Sequence, residues 1–271
     1  MNNFYLTLLS YSSLSIYPKN QQSDFTAKLD RAIQIDKDQW EVGLVELITP
    51  TEVKNITKKN NFFWVKLYDS QLCEDAGICS SVYDHKLTFR TGFYKSPQHL
   101  VEEIQYQIDS WIGNNLKKRN ASVYVTYEEG RDRVKLGFQD SSKVNLQFPK
   151  PLAEILGMDM YYADLPLDDT KRYIFKYGVD LNTEIHQLFV YSDIASYTFL
   201  GDVTAPILRV VPFKNNTANN QSHLEFVNVH YVPVAKSFID QVQISIKGGT
   251  GEDVPFISGK TLVKLHFRQK Q

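Results

Sequence analysis

The chain has 271 residues, 42% of them apolar and 13% aromatic, enough for folding to hide roughly three-quarters of the unfolded surface. Its 30 basic residues are matched by 31 acidic ones, so no net field draws it to nucleic acid or anionic lipid. The composition as a whole excludes disorder, collagen, coiled coil and a disulfide-stapled miniprotein, and 16 Tyr and 16 Phe against 3 Met favour sheet over helical bundle.

The opening MNNFYLTLLSYSS lacks the basic start and long apolar run of a secretory signal, and no window approaches 18 uninterrupted apolar residues, so no membrane span is expected. Tyr17-Pro18-Lys19-Asn20 reads as a turn, since proline fixes φ and asparagine can bond the backbone. The segment before it could tie one subunit to another or dock on its own sheet. Strand-like runs follow at Phe25–Leu29 and Trp40–Leu47. In WEVGLVEL, Trp40, Val42, Leu44 and Glu46 share one face, with Glu41, Gly43, Val45 and Leu47 on the other. Two partly apolar faces suggest a central strand covered on both sides. Phe62–Tyr68 and His85–Phe93 continue the pattern. Between them, Cys73 and Cys79 could be two free thiols or a strained pair; His85 alone does not complete a zinc site. The Asn-x-Ser/Thr sequons at Asn55, Asn120, Asn215 and Asn220 carry no weight without a signal peptide.

The character then changes. Ser96-Pro97 is a helix start, and Leu100, Val101, Ile104, Ile108, Trp111 and Ile112 recur at three- and four-residue steps as one apolar stripe. Gly113 and Asn114-Asn115 are candidate terminators. Ser122–Tyr127 and Arg133–Phe138 flank Glu-Glu-Gly-Arg-Asp, a hairpin with a longer loop. Strand-like Val144–Phe148 leads into a short apolar helix, Pro151–Met158. From Tyr173 strands return at Tyr173–Val179, Gln187–Ile194, Ile207–Phe213, His223–Val232, Phe238–Ile246 and Thr261–Phe267, the last two separated by the glycine-rich 248–253. That loop lacks the Lys-Ser/Thr pair and following helix of a phosphate site, so it reads as a hairpin-like connection. Strand spacing of this kind belongs to a sandwich or barrel. The fold class expected is therefore mainly β, an antiparallel β-sandwich with an α+β insertion. Its core is residues 1–93 plus 166–271, and its insertion is 94–165. Neither flank has enough strands alone, so the two should share one core.

Several of these segments resemble the minor capsid (penton) proteins of Polinton/Maverick elements and adintoviruses. They are the opening FYLTLLSYSSLSIYPKNQQSDFTAKL with the WEVGLVEL strand; Thr91-Gly92-Phe93-Tyr94-Lys95-Ser96 before the helix; Leu152-Ala153-Glu154-Ile155-Leu156-Gly157; the strand LFVYSDI; and the ending FIDQVQISIKGGTGEDVPFISGKTLVKLHFR. The resemblance implies a jelly-roll subunit that forms homopentamers at the icosahedral vertices of a virion, touches the double-jelly-roll major capsid protein, and is assembled in the host nucleus or cytoplasm.

From the residues themselves, a closed fivefold ring needs one patch to meet a different patch on the next copy, with permanent contacts depleted in charge at their centres. Tyr11, Tyr17, Tyr161, Tyr162, Tyr197 and Phe256, in expected loops or termini, are candidates for such contacts or for plugging their own loops. Catalysis is not expected. The histidines His85, His99, His186, His223, His230 and His266 are scattered, no Gly-x-Ser-x-Gly occurs, and the acid pairs Glu102-Glu103, Glu128-Glu129 and Asp168-Asp169 are adjacent and solvated. No cofactor and no metal site are expected. The alternative is a nucleic-acid- or carbohydrate-binding β-sandwich. Lys117-Lys118-Arg119, Lys58-Lys59 and Lys171-Arg172 are its basic clusters, and Trp40, Trp64 and Trp111, lying inside apolar patterns, argue against a sugar platform.

Overall fold

The first three strands are built on alternation. In β1 (Asn3–Leu9), β2 (Asp24–Gln34) and β3 (Trp40–Pro50), Leu8, Phe25, Ala27, Trp40, Val42 and Leu44 turn inward and are buried, as the two-residue period of a strand demands. The computed structural model describes residues 2–68, 81–115, 122–139, 144–159, 172–182, 185–213 and 220–270. It divides the chain into two compact units, one made of Met1–Val53 with Glu184–Gln271 and the other of Lys54–Thr183.

The second unit runs through β4 (Phe62–Tyr68), β5 (Ser81–Thr88), α1 (Pro97–Asn115), β6 (Ser122–Glu128), β7 (Arg133–Gln139), β8 (Val144–Gln147), α2 (Lys150–Leu156) and β9 (Arg172–Ile174). Antiparallel pairing makes two three-stranded sheets, β5-β4-β8 and β6-β7-β9. The α1 stripe of Leu100, Val101, Ile104, Ile108 and Trp111 is buried in one cluster with Phe63, Val65, Val123 and Val125. Gln105 completes the packing: its amide donates to the Val123 carbonyl (3.0 Å) and accepts from the Val125 N–H (2.6 Å). One side chain thus stands in for a missing strand at the open edge of β6. The Ser96 hydroxyl accepts from the His99 N–H, as the helix-start signal requires. Gly113 does not stop the helix, which continues to Asn115. In α2 the stop is Gly157: its N–H bonds the Glu154 carbonyl and the Met158 N–H bonds the Ala153 carbonyl, a Schellman cap with Gly157 at φ +81°.

The insertion is longer than the sequence pattern indicates. Residues 62–68, 81–88 and 172–174, expected in the sandwich, pair inside the second unit: β4 with β5 and β8, and β9 with β7. A half-buried strand looks alike on either side of such a boundary, because only its partner assigns it. The run expected at Tyr173–Val179 is correspondingly cut to the three residues of β9.

The chain re-enters the first unit through β10 (Gln187–Ser192), β11 (Thr198–Leu200), β12 (Val203–Ala205), β13 (Ile207–Pro212), β14 (Gln221–Glu225), β15 (Tyr231–Pro233), β16 (Phe238–Lys247) and β17 (Leu262–Gln269). One sheet has the order β1-β17-β3-β14, with β15 also on β3, and the other β13-β10-β16-β2. Their pairings are antiparallel. If β14 and β15 count as one position beside β3, eight positions in chain order fall into sheets 1-8-3-6 and 5-4-7-2. That order is a jelly roll, with Lys54–Thr183 inserted between its third and fourth strands. Phe25, Leu44, Val190, Ile244, Val263, Leu265 and Phe267, from both sheets, form one buried cluster. The connection 248–253 is a turn, with the Gly251 N–H on the Gly248 carbonyl.

Candidate functional site

The outer surface of the jelly-roll unit departs from a plain sandwich at a bulge. Along β3, Glu46 pairs with Lys264 but Leu44 pairs with Leu265, leaving Val45 without an opposite residue on β17. The extra residue reverses the alternation beyond it, so Leu47 is buried at 1% exposure. Glu46, expected on the face of Trp40, instead points outward to His223 and Lys264. The same bulge breaks the neighbouring strand. The run expected at His223–Val232 splits into β14, on Glu46–Pro50, and β15, on Glu41–Gly43. Between the two, the Phe226 N–H bonds the Val45 carbonyl and Val227 is 96% exposed.

These pieces surround an open groove of about 540 Å³ whose lining includes Tyr5, Val227, Val229, Tyr231, Lys264 and His266. Its polar rim is a connected network. Glu46 accepts from Lys264 at 3.3 Å and lies 3.0 Å from His223 Nε2, which is 3.5 Å from Glu225. Glu46 and Glu225 sit directly opposite each other across the ladder, a like-charge pair that would oppose pairing without the His223 imidazole between them and Lys264 on the far side of Glu46. The three groups Glu46, His223 and Glu225 are close enough to hold a metal ion, but the network is already completed by Lys264. Tyr5 stacks on His266, the Tyr231 hydroxyl bonds His266 Nδ1 at 2.7 Å, and the Arg268 guanidinium lies 3.5 Å from the Tyr231 ring centre while donating to Glu41.

Burial, and then the Arg268 charge, hold the His266 imidazole below its ordinary value. In its Nε2–H tautomer the neutral ring accepts the Tyr231 O–H hydrogen bond at Nδ1. A depressed imidazole binds its proton more weakly in the folded state than in the unfolded one. The stability it contributes is therefore complete above the ordinary value near 6.5 and is lost as pH falls. Urea unfolding at pH 7 and pH 5 should show a larger acid loss for the native chain than for His266→Gln; equal losses would contradict this account.

A second apolar feature stands between β10 and β13. β11 and β12 pair only with each other among the described strands, joined at Gly201-Asp202 with Gly201 at φ +62°. On this hairpin and its stem Tyr197 is 71%, Phe199 89% and Val203 54% exposed. The stem is anchored: Ala195 bridges Val234 and Lys236 pairs with Asp193 at 2.5 Å.

Of the aromatic contact candidates, Tyr11 and Tyr197 are exposed at 45% and 71%, and Phe256 is a core residue at 8%, held where Val53 bridges it. Tyr17 donates its hydroxyl to Gln241 of β16. The turn at Tyr17–Asn20 is present, and Asn20 holds Thr26 through both its amide groups, covering part of the free edge of β2. The N-terminal segment lies as β1 on β17 of its own chain. Tyr161, Tyr162, Cys73, Cys79, Asp168-Asp169, Lys117-Lys118-Arg119 and Lys171 lie outside the described residues. Trp40 and Trp111 are buried at 8% and 6%, and Trp64 packs edge-on against Phe62, so Trp40 and Trp111 offer no open ring to a sugar. Sequence reasoning missed Phe199, Val227 and Tyr5; a Phe beside a Gly-Asp turn was the available signal for the first.

The fold defined by this topology is that of a jelly roll carrying an inserted α+β unit in its third connection. Among solved structures, the mavirus penton protein has this fold: it matches with a TM-score of 0.58 at 11% sequence identity over 100% of both chains. A chain of the Sputnik virophage matches with a TM-score of 0.47 at 12% identity, over 100% of this chain and 98% of that one. No family model and no curated protein matches the chain. No helix among the described residues is long and apolar enough to cross a membrane.

Proposed function

We propose that this chain is a structural, non-enzymatic minor capsid protein of penton type, acting by assembly into the shell of a virion. The observation that carries the reading is the end-to-end likeness to the mavirus penton protein. Because it spans both chains completely, it takes in the inserted unit as well as the sandwich, and a jelly roll alone would be a much weaker guide, since that fold serves many functions. The local patterns resembling Polinton and adintovirus pentons point the same way. So does the surface: large apolar side chains sit on a hairpin and in a groove, where a free monomer would carry few, and the titratable groups beside them are tied into structural networks.

The finer reading is a homopentamer at the shell's fivefold vertices, contacting a double-jelly-roll major capsid protein, with assembly in the host nucleus or cytoplasm. Mass photometry and negative-stain imaging of the purified chain test it. Five-membered rings of five times the 31.3 kDa chain mass are expected, and a two-fold dimer or a monomer at every concentration would overturn the ring.

A further inference from the structure

We propose that the β11–β12 hairpin of one copy seats in the groove beside the Val45 bulge of the next copy. This rests on the reading of a closed ring of identical subunits and names its contact. A two-stranded ribbon without a third strand is marginal in water. This one nevertheless presents Phe199 at 89% and Val203 at 54% exposure, above Tyr197 at 71%. Such a ribbon gains its missing cover from a partner. The groove offers the complement: Tyr5 and Val227, exposed at 59% and 96%, with Val229 and Tyr231 in a space of about 540 Å³, ample for one aromatic and one branched side chain.

Symmetry selects this groove over a larger one beside the hairpin. The hairpin springs from between β10 and β13 in one sheet, whereas the receiving groove lies on β3 and β17 in the opposite sheet. Knob and hole are thus different patches of the molecule, which is what a ring-closing, heterologous contact needs. The second groove, about 640 Å³, is lined by Tyr191, Ala195, Tyr197 and Pro206. It shares its wall with the hairpin's own stem, so mutual insertion there would make a two-fold pair. The groove's own charged side chains are engaged with one another, Lys264 on Glu46 and His223 against Glu46 and Glu225, and its flanking loop is held by Arg209, which stacks on Phe226 and donates to the Asn228 carbonyl.

Phe199→Asp and Val227→Asp test the contact in the full chain. Both positions are open to solvent, so each variant should melt at the native temperature, with Phe199→Ser as a milder substitute should the aspartate perturb folding. Each alone is expected to run as a monomer where the native chain forms rings. Mixed, they should form a dimer of twice the 31.3 kDa chain mass and nothing larger. The intact hairpin of one still meets the intact groove of the other, and no further site is left. Rings that persist in either variant, or a mixture that stays monomeric, would overturn the proposal while leaving the ring itself standing. A native chain that forms no ring would overturn both.

Discussion

Replacing Ile104 by aspartate is expected to destabilise the chain by more than about 4 kcal/mol, among the largest effects a single substitution produces. Ile104 has no solvent exposure and sits in the middle of the α1 stripe, in the same cluster as Phe63, Val125 and Leu136. A carboxylate there has no water and no cation to pair with in that cluster, so it must either take up a proton or expel the helix. Losing the helix would also remove Gln105 from the edge of β6. The conservative Ile104→Val change, which removes one methylene and leaves a small void, should cost about 1 kcal/mol. Chemical unfolding of both variants checks the ratio. An unchanged midpoint for the aspartate would contradict the buried helix outright.

Gly157→Ala should lower stability by more than about 3 kcal/mol, although it adds one methyl group. At φ +81° an alanine pays the left-handed penalty, about 1–2 kcal/mol. Its Cβ would also lie 2.2 Å from the Tyr177 carbonyl oxygen and 2.8 Å from that of Gly178. Neither backbone atom can retreat easily, because the Tyr177 N–H is bonded to the Gly157 carbonyl itself. Gly113→Ala is the internal contrast. That glycine is helical and a Cβ there meets nothing within 4 Å, so the same change should stabilise by roughly 0.5–1 kcal/mol. Opposite signs for one chemical substitution at two helix-associated glycines would distinguish conformational demand from helix propensity.

The local signals were the readable ones. Ser96-Pro97 and the three-four spacing after it located α1, and the loop at residues 128–132 located the β6–β7 hairpin. Strand spacing indicated a sandwich whose two flanks supply strands to the same pair of sheets. What could not be read depends on partners far away in sequence. Nothing in WEVGLVEL says that β17 skips Val45, yet that skip turns Glu46 outward and splits the following edge strand. Phe256 resembles any loop aromatic until its bridge to Val53 is known. Phe62–Tyr68 alternates as a sandwich strand would, and only its bond to Val144–Gln147 places it in the insertion. The candidate contact surface was legible in kind, as exposed aromatics on loops, but only Tyr197 of its members was named in advance.

The strand order carries a consequence for synthesis. Among the described strands β1 bonds only to β17, β2 only to β16, and β3 to β17, β14 and β15, so the first three have no partners among themselves. Every one of them waits for strands between Gln221 and Gln269 to leave the ribosome, on the order of ten seconds or more at ordinary elongation rates. Meanwhile the middle segment, whose sheets are paired internally, is already whole. A nascent chain of this kind presents unpaired amphipathic edges throughout translation, and termination before Leu262 would leave β1 with no neighbour at all and β3 bare along one flank.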